Sequence, residues 1–304
     1  MDRIVIVTKP TRLQELVREH LTEGTARFVL ESHGQSIEPY LKEDAATTAA
    51  LLEIRHQIPG ELPVASVSRN ELPNFLFREK DLIVVCGPDG LFANVAKYVD
   101  RQLVLTVNPD PESVGGALML FRPDEVGEII TRVEKGKHAS ERLPFVKATI
   151  DEETVVWGIN DIFIGRKDQV SARYEVSFNG RSERQSSSGI IVATGVGSTG
   201  WIRSVAAMVE GIMRHGSSSK LASLPKPATN ELVFVVREPF PSPTTGVSIV
   251  TDRVVPGKPL TVSSEMPIGG YIFSDGVIEQ AVPWNAGSSV VVSVGDRYVE
   301  RITR

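Results

Sequence analysis

The sequence predicts two domains of different class, an N-terminal α/β domain over residues 1–142 and an all-β domain over residues 143–304. In the first half, short apolar runs typical of buried strands alternate with apolar residues at helical spacing, which indicates a parallel sheet covered by helices. In the second half, short strand-like runs are separated by Gly, Pro and Asn turns, which indicates an antiparallel β-sandwich. A chain of 304 residues is long enough for each domain to bury its own core.

The first half has the strand and helix order of a Rossmann-like domain. The apolar run at residues 4–7 is the centre of a strand expected at 3–9, and Leu13, Leu16, Val17 and Leu21 follow at helical spacing. A second helix is expected at 45–57, where Pro59-Gly60 stops it. The remaining elements expected here are strands at 63–68, 82–86 and 103–107 and helices around 92–99 and 126–133.

The second half is expected to form mostly strands. Asn179-Gly180 predicts a hairpin. One helix, expected at 201–214, interrupts the strands, and residues 217–219 are expected in a loop. The strands are expected at 145–150, 154–157, 162–164, 173–178, 189–194, 232–237, 247–250, 260–263, 271–273 and 289–294.

Charge and composition argue against several classes of function. The net charge of −5 argues against a broad nucleic-acid surface. Cys86 is the only cysteine and lies in an apolar run, so no disulfide or thiolate metal site is expected, and a reducing cytoplasm fits best. The first residues have the pattern of a strand and not of a signal peptide, and no apolar run reaches membrane-spanning length.

Asp89 lies in a tight turn between the buried run 82–86 and the next helix. In Gly87-Pro88-Asp89-Gly90 the proline presets φ, the aspartate can bond its own backbone and the last glycine accepts positive φ. The turn places a carboxylate at the C-terminal end of a parallel strand, where open α/β sheets hold their ligands. Taken alone, the pattern favours a turn that binds nothing, because such turns are common.

A literal G-x-G-x-x-G motif spans residues 195–200, after a strand and before a helix. Such a motif is typical of a dinucleotide site with the pyrophosphate at the helix N-terminus, but no second parallel strand ending in Asp or Glu follows at the required distance. Two interpretations stay open: backbone N–H groups that cradle an anion, or a turn that needs small residues.

Asn160-Asp161 lies between two strand-like runs and offers a donor and an acceptor that suit a ribose diol or an adenine edge. The alternative for this pair is an Asx turn in a hairpin. Ser274-Asp275-Gly276 is a further turn that says little alone. The sequence contains no Walker A motif, no H-E-x-x-H and no Cys/His cluster, and no G-x-S-x-G elbow supports a serine nucleophile.

Together these motifs resemble the NAD kinase family, most closely its mitochondrial-type branch, and the match runs over nearly the whole chain. The segments that carry the resemblance are GPDGL at 87–91 for the family's GGDGT turn, VNPDP at 107–111 for GVNTDP, the N-D pair at 160–161 for N-E, GSTGW at 197–201 for TGSTAY, and the S-D-G turn at 274–276. SSG at 187–189 and REP at 237–239 resemble the mitochondrial-type branch.

The resemblance implies an enzyme that moves the γ-phosphate of ATP to the adenosine ribose 2′-OH of NAD and makes NADP. Asp89 would orient the hydroxyl and accept its proton. Such chemistry needs positioning and charge stabilisation more than a covalent nucleophile, with Mg²⁺ arriving on ATP. A homodimer or higher oligomer is implied. The nucleotide-binding positions would be Gly87, Gly90, Asn108, Asn160, Asp161, Ser198, Thr199, Gly200 and Trp201.

Three residues depart from the family pattern. Pro88 replaces a glycine and removes an N–H that would face phosphate. Leu91 replaces a threonine and adds bulk beside the turn, and Asp161 is one methylene shorter than glutamate. Two other functions therefore stay open: a catalytically weak or inactive sensor of NAD(H) or NADP(H), and a related kinase acting on the hydroxyl of a sugar, nucleoside or lipid.

Overall fold

A computed structural model describes residues 1–113, 115–213 and 224–304 of the chain. Residue 214, the expected end of a helix, and the loop expected at 217–219 lie outside the described residues. The chain forms two compact units, one of Met1–Glu141 with Val299–Arg304 and the other of Arg142–Tyr298. The last six residues, expected in the second domain, thus form part of the first unit.

The first unit is built on a parallel sheet in which β1 pairs with β2 and β3, and β3 pairs with β4. Its strands are β1 (Arg3–Thr8), β2 (Val64–Ser68), β3 (Asp81–Cys86) and β4 (Leu103–Val107). Its helices are α1 (Arg12–His20), α2 (Glu23–Ser32), α3 (Glu38–Gln57), α4 (Asp89–Ala96) and α5 (Val126–Glu134). All six residues of β3 are buried, as expected for a strand covered on both faces.

Most apolar side chains of the first unit's core come from the strands, α3 and α5. Ala50 and Ile54 of α3 and Ile129 and Ile130 of α5 pack in one cluster with strand residues. The predicted apolar face of the first helix ends early, because Leu21 takes a left-handed conformation (φ 68°) and is 85% exposed. A helix at α2 was not predicted, and α3 begins seven residues before the expected helix at 45–57.

The second unit is an antiparallel β-sandwich with one described helix, α6 (Trp201–Met213). Its strands are β5 (Ala139–Ile150), β6 (Thr154–Gly158), β7 (Asp161–Arg166), β8 (Ala172–Phe178), β9 (Arg181–Ser187), β10 (Ile190–Ala193), β11 (Leu232–Val236), β12 (Thr251–Val254), β13 (Leu260–Ser264), β14 (Gly270–Ser274), β15 (Val282–Pro283) and β16 (Ser289–Thr303). The ends of β5 and β16 extend into the first unit.

Two sheets enclose the core of the sandwich. One has the strand order β12-β11-β10-β7-β14-β15. The other contains β16, β13, β8 and β9 in that order, with the β5–β6 hairpin joined to it through β16. Alternate residues of both sheets, such as Ile164, Tyr174, Val192 and Val262, fill one buried cluster, which confirms the predicted sandwich.

Several strands of the second unit differ from their predicted positions; β5, for example, begins at Ala139, six residues before the expected 145, and β15 was not predicted. The strand expected at 247–250 is found at β12, four residues later, although the N–H of Val236 still donates to Val250 O (2.7 Å). The strand expected to end at residue 294 continues to Thr303. Among the described residues, no helix combines the length and apolarity needed to cross a bilayer.

Candidate active site

Asp89 is the first residue of α4, directly after the turn that leaves β3. Pro88 precedes it with φ −76° and ψ 165°, and its carbonyl accepts the N–H of Leu91 (2.9 Å). Gly87 N–H donates to Val107 O (3.3 Å), so the turn stays attached to β4. The proline therefore acts as the residue before the helix, where its fixed φ fits and its missing N–H costs nothing to the helix.

Two backbone N–H groups hold the carboxylate of Asp89. Oδ2 accepts from Ala117 N (3.0 Å) and Oδ1 from Leu118 N (3.1 Å). A methyl group at Gly116 would lie 3.2 Å from Oδ1, so the backbone passes close to the carboxylate. Each carboxylate oxygen still has lone-pair capacity for another donor.

The segment that holds Asp89 is itself anchored. Leu118 O accepts from Thr106 Oγ1 (2.8 Å) and from Arg301 Nη1 (3.0 Å). Thr106 Oγ1 also accepts from Leu120 N (3.2 Å). The orientation of the Asp89 carboxylate is therefore fixed by contacts to β4 and to the last residues of β16.

A cavity of about 470 Å³ lies in the first unit beside this turn. It is bounded by the C-terminal ends of β1, β3 and β4, and by α1 and α3, which is where parallel α/β sheets hold ligands. Asp89 is not among the described residues that line it. The lining residues are Lys9, Pro10, Thr11, Arg12, Pro39, Lys42, Glu43, Thr47, Cys86, Gly87, Pro88, Asn108, Pro109, Asp110 and Ser113.

Three cations line this cavity, and they differ in how they are held. Arg12 pairs with Glu43 (2.5 Å) and lies over the ring of Tyr40. Lys42 Nζ donates to Ser113 Oγ (2.9 Å). Lys9 makes no hydrogen bond or ion pair within the part of the chain that the structure describes. The cavity thus offers positive charge suited to a polyphosphate, with Lys9 available to bind it.

The two altered residues of the turn face different surroundings. Pro88 lines the cavity. Leu91 is 1% exposed and lies beneath the turn, where a Cβ added at Gly87 would be 2.9 Å from its Cδ2. Leu91 therefore adds bulk beside the turn, as expected, and this bulk is packed into the core. Pro88 alone presents an altered surface to a ligand in the cavity.

Asn108 lies at the end of β4 and also lines the cavity. Its side-chain Oδ1 accepts from Asp110 N (3.0 Å), which forms an Asx turn. Its backbone N–H donates to Phe121 O (2.9 Å). The asparagine thus shapes the loop after β4 at the cavity wall.

In the second unit, Asn160 and Asp161 lie where β6 passes into β7. Thr194, at the end of β10, donates its hydroxyl to Ile159 O (2.5 Å), and its N–H donates to Asn160 O (2.9 Å). Gly197 N–H donates to the same hydroxyl oxygen (3.2 Å). Thr194 therefore joins the asparagine–aspartate pair to the glycine-rich turn.

The glycine-rich turn passes so close to neighbouring backbone that two of its positions require glycine. A Cβ at Gly197 would overlap Asn160 O, and a Cβ at Gly195 would overlap Lys226 O. Ser198 and Thr199 donate their hydroxyls to Gly195 O (2.7 Å) and Val196 O (3.2 Å) of the same turn. The small residues thus serve backbone packing, which favours the interpretation of the motif as a packed turn.

Trp201 begins α6 directly after this turn and is half-buried. Its ring stacks on Phe163, with centroids 5.4 Å apart and an angle of 19° between the planes. The Arg237 guanidinium lies over the same ring at 5.4 Å. These contacts account for a tryptophan at this position and fix the start of α6 against β7.

Asp161 is a buried carboxyl group, 6% exposed. Burial, and then the nearby charge of Asp275, raises its pKa to about 7. It has no ion pair among the described residues. Near neutral pH this side chain can therefore donate a hydrogen bond when protonated or accept one when ionised.

Several residues around Asp89 and around the Asn160-Asp161 pair were not predicted from the sequence. The segment 116–118 that holds Asp89 carried only the signal of the Gly115-Gly116 pair. Lys9 and Lys42 lie in no recognisable sequence motif. Thr194 could have been found as a threonine directly before the glycines. Asp275 was noted only as part of a turn.

No cluster of three or more metal-ligating His, Cys, Asp or Glu side chains occurs in residues 1–113, 115–213 and 224–304. A divalent ion at the cavity therefore stays an expectation tied to ATP, and among the described lining residues the carboxylates of Glu43 and Asp110 are the ones available to it.

Comparison with known proteins supports the resemblance found in the sequence. No protein-family model matches the chain. NAD kinase 2 of Geobacillus kaustophilus strain HTA426 is 28% identical over 153 residues, which are 49% of this chain and 57% of that protein. The matched part is thus less than two thirds of that relative's length.

A solved structure of yeast NADH kinase complexed with NADH has the same fold. The two structures superpose with a TM-score of 0.61 at 15% sequence identity, over 99% of this chain and 83% of the other. The predicted combination of a parallel α/β domain and an antiparallel β-sandwich is confirmed by this likeness. The closeness to the mitochondrial-type branch stays a prediction. The resemblance to the NAD kinase family is confirmed, by sequence to a curated NAD kinase and by fold to a solved NADH kinase.

Proposed function

We propose that this protein is an NAD kinase-like phosphotransferase that moves the γ-phosphate of ATP to the 2′-hydroxyl of the adenosine ribose of NAD. The observation that carries the proposal is the cation-lined cavity at the C-terminal ends of β1, β3 and β4, whose wall includes the two residues before Asp89. The likeness to proteins named NAD kinase 2 and NADH kinase supports the same reaction.

The cavity suits the phosphoryl donor. Lys9, Arg12 and Lys42 supply positive charge for the phosphates, and Mg²⁺ would enter with ATP to neutralise more of the developing charge. Backbone at Gly87 and Gly90 allows close approach. We assign no direct metal ligand in the chain.

Asp89 is proposed as the group that orients the ribose hydroxyl. The 2′-oxygen forms a bond to the γ-phosphorus, the bond from that phosphorus to the β–γ bridging oxygen breaks, and ADP leaves with the electron pair. The hydroxyl proton passes to the Asp89 carboxylate. Carboxylates are weak bases at neutral pH, so alignment of the hydroxyl is the larger part of its role.

The adenosine of NAD is proposed to bind in the second unit at Asn160 and Asp161. An amide next to a carboxyl group supplies both donors and acceptors for a ribose or an adenine edge. The turn residues expected beside the nucleotide are Ser198, Thr199, Gly200 and Trp201.

The direct test is to incubate purified protein with Mg²⁺-ATP and NAD and to assay NADP. We expect NADP to form only when both ATP and Mg²⁺ are present. Parallel reactions with NADH, a nucleoside and a sugar separate this activity from a related kinase. Phosphorylation of one of those acceptors without NADP formation would contradict the proposal.

A second function is favoured by the contacts of Asp89 and by Pro88. The carboxylate is already held by two backbone N–H groups, and the proline places a residue without an N–H at the cavity wall. Both features suit a protein that binds NAD(H) or NADP(H) without phosphorylating it. Calorimetric binding of NAD by a protein that makes no NADP would support this sensor function.

A further inference from the structure

Asp275 makes four hydrogen bonds to the segment that carries Asn160 and Asp161. Its Oδ1 accepts from Asn160 N (2.7 Å) and Asp161 N (3.3 Å), and its Oδ2 accepts from Ile159 N (3.2 Å). Its own N–H donates to Asp161 O (3.0 Å). Three successive backbone N–H groups are thus gathered by one carboxylate, and such charge-assisted bonds are stronger than neutral ones.

The turn after β14 aims this carboxylate. Asp275 and Gly276 both have positive φ, 50° and 73°, and Val277 N–H donates to Ser274 O (2.9 Å). Left-handed backbone is accessible to glycine, and among other residues mainly to Asn and Asp. The left-handed turn therefore favours Asp or Asn at position 275. A carboxylate there has two oxygens that can accept from the three N–H groups of residues 159–161.

We propose that Asp275 is a positioning residue that fixes the backbone of Asn160 and Asp161 for the nucleotide. This inference rests on the proposed nucleotide-binding role of the pair. Asp275 acts through the pair and has no assigned contact with the ligand. Thr194, at the end of β10, donates to the carbonyl groups of the same segment. Asp275 accepts from its N–H groups, so the two residues together restrain the segment.

The charge of Asp275 also acts on the Asp161 carboxyl group. The elements next to it are β6 through Gly158, β10 through its pairing with Ala193, and β14 through Asp275. Of these neighbours, Asp275 is the titratable one. Its negative charge opposes ionisation of Asp161, after burial, and so adds to the raised pKa of that group.

The test compares Asp275→Asn with a matched control, Asp151→Asn. Asp151 also has positive φ (51°), and its carboxylate accepts from Ser289 N (2.7 Å) and Ser288 Oγ (2.6 Å), but it makes no contact with residues 159–161. Asparagine tolerates the left-handed turn in both variants, so we expect both to fold, with some loss of stability in Asp275→Asn because its NH₂ group meets a backbone N–H donor of residues 159–161. Thermal unfolding checks this point.

Two readouts decide the outcome. We expect Asp275→Asn to weaken NAD binding about tenfold in calorimetry, while Asp151→Asn leaves it unchanged. In the ligand-free protein, we expect the Asp161 carboxyl titration, followed by carbon NMR, to move to lower pH in Asp275→Asn only. In a double-mutant cycle, Asp275→Asn and Asn160→Ala should weaken binding by less than the product of their separate effects.

The results separate this inference from the proposed function. Wild-type protein that binds no NAD contradicts the proposed function, and the NMR titration then decides the role of Asp275 without a ligand. An Asp161 titration that is the same in wild type and Asp275→Asn overturns the inference. Normal NAD binding in a folded Asp275→Asn variant overturns it as well.

Discussion

Asp161 shows how burial changes the chemistry of a single carboxyl group. An unfolded chain leaves aspartate with a pKa of about 3.9, whereas in the fold the pKa of Asp161 is raised to about 7. The folded state therefore keeps a proton that the unfolded chain has released. The resulting stability is fully present below about pH 4 and is lost as the pH rises through 7.

Asp161→Asn should therefore change the pH dependence of stability. Asparagine cannot ionise, so we expect wild type to lose stability relative to the variant between pH 4 and pH 8, by about 4 kcal/mol at most. Urea unfolding at several pH values measures this difference. Asp151→Asn is a control of opposite sign, because hydrogen bonds from Ser288 and Ser289 lower the pKa of Asp151 and its contribution is lost as the pH falls. Parallel pH profiles for wild type and Asp161→Asn would contradict the prediction.

Asp89→Asn should affect both catalysis and local structure. The amide keeps one acceptor but turns an NH₂ group toward one of the two N–H donors at Ala117 and Leu118, which we expect to cost about 1–3 kcal/mol of stability. Loss of the orienting carboxylate should lower NADP formation by at least about 10²-fold. Steady-state kinetics and urea unfolding measure the two effects, with Asp124→Asn on the surface as the control. Turnover near the wild-type rate would remove Asp89 from the reaction.

At the scale of elements, the turn between β3 and α4 separates two substitutions that look alike in the sequence. Pro88 lines the cavity, whereas Leu91 is packed beneath the turn. The sequence predicted the strand, the turn and the helix here, since the apolar run and the proline fix them locally. It did not predict where Leu91 points, because the direction of that side chain depends on its packing against Gly87.

Pro88→Gly and Leu91→Thr should therefore have different effects. Pro88→Gly supplies an N–H and removes a ring at the cavity wall, so we expect tighter ATP binding and faster turnover at a small cost in stability. Leu91→Thr buries a hydroxyl and leaves a void, which should destabilise the protein by about 2–4 kcal/mol without raising activity. Kinetics and thermal unfolding of both single variants provide the test. A gain in activity from Leu91→Thr alone would contradict the packing seen here.

The helices before β2 show the limits of sequence periodicity. The apolar spacing around Leu13 predicted α1, but Leu21 continues the pattern and ends the helix in a left-handed conformation. Helix α2 was missed because only Ala26 and Leu30 are buried along its ten residues. Where few side chains face a core, tertiary packing decides the element and periodicity gives little signal.

At the scale of the whole molecule, the order of dispersed motifs carried more information than any one motif. The Asn160-Asp161 pair and the glycine-rich turn each had a plain structural alternative, yet the fold joins them through Thr194. The role of Asp275 could not be predicted, since its partners lie more than a hundred residues earlier. Contacts of that separation are set by topology and leave no local signature.

Assembly is the prediction at this scale. We propose a symmetric homodimer formed through the β-rich unit, so light scattering at micromolar concentration should give about twice 33.2 kDa. Ile268 is a largely exposed apolar residue of that unit, and Leu76 is a similar one in the first unit. Ile268→Asp should shift the mass toward that of one chain, and Leu76→Asp should not. A wild-type monomer would contradict the proposal.

The last residues of β16 give the chain an unusual order of assembly during synthesis. Glu300 and Arg301 pair with β4, Ile302 enters the core of the first unit, and Arg301 bonds to Glu141 and to the segment that holds Asp89. A ribosome makes residues 1–141 long before residues 299–304. The sheet of the first unit, and the contacts that support Asp89, can therefore be completed only after the whole sandwich has been translated. A nascent chain halted within the sandwich would carry the Asp89 turn without this final strand.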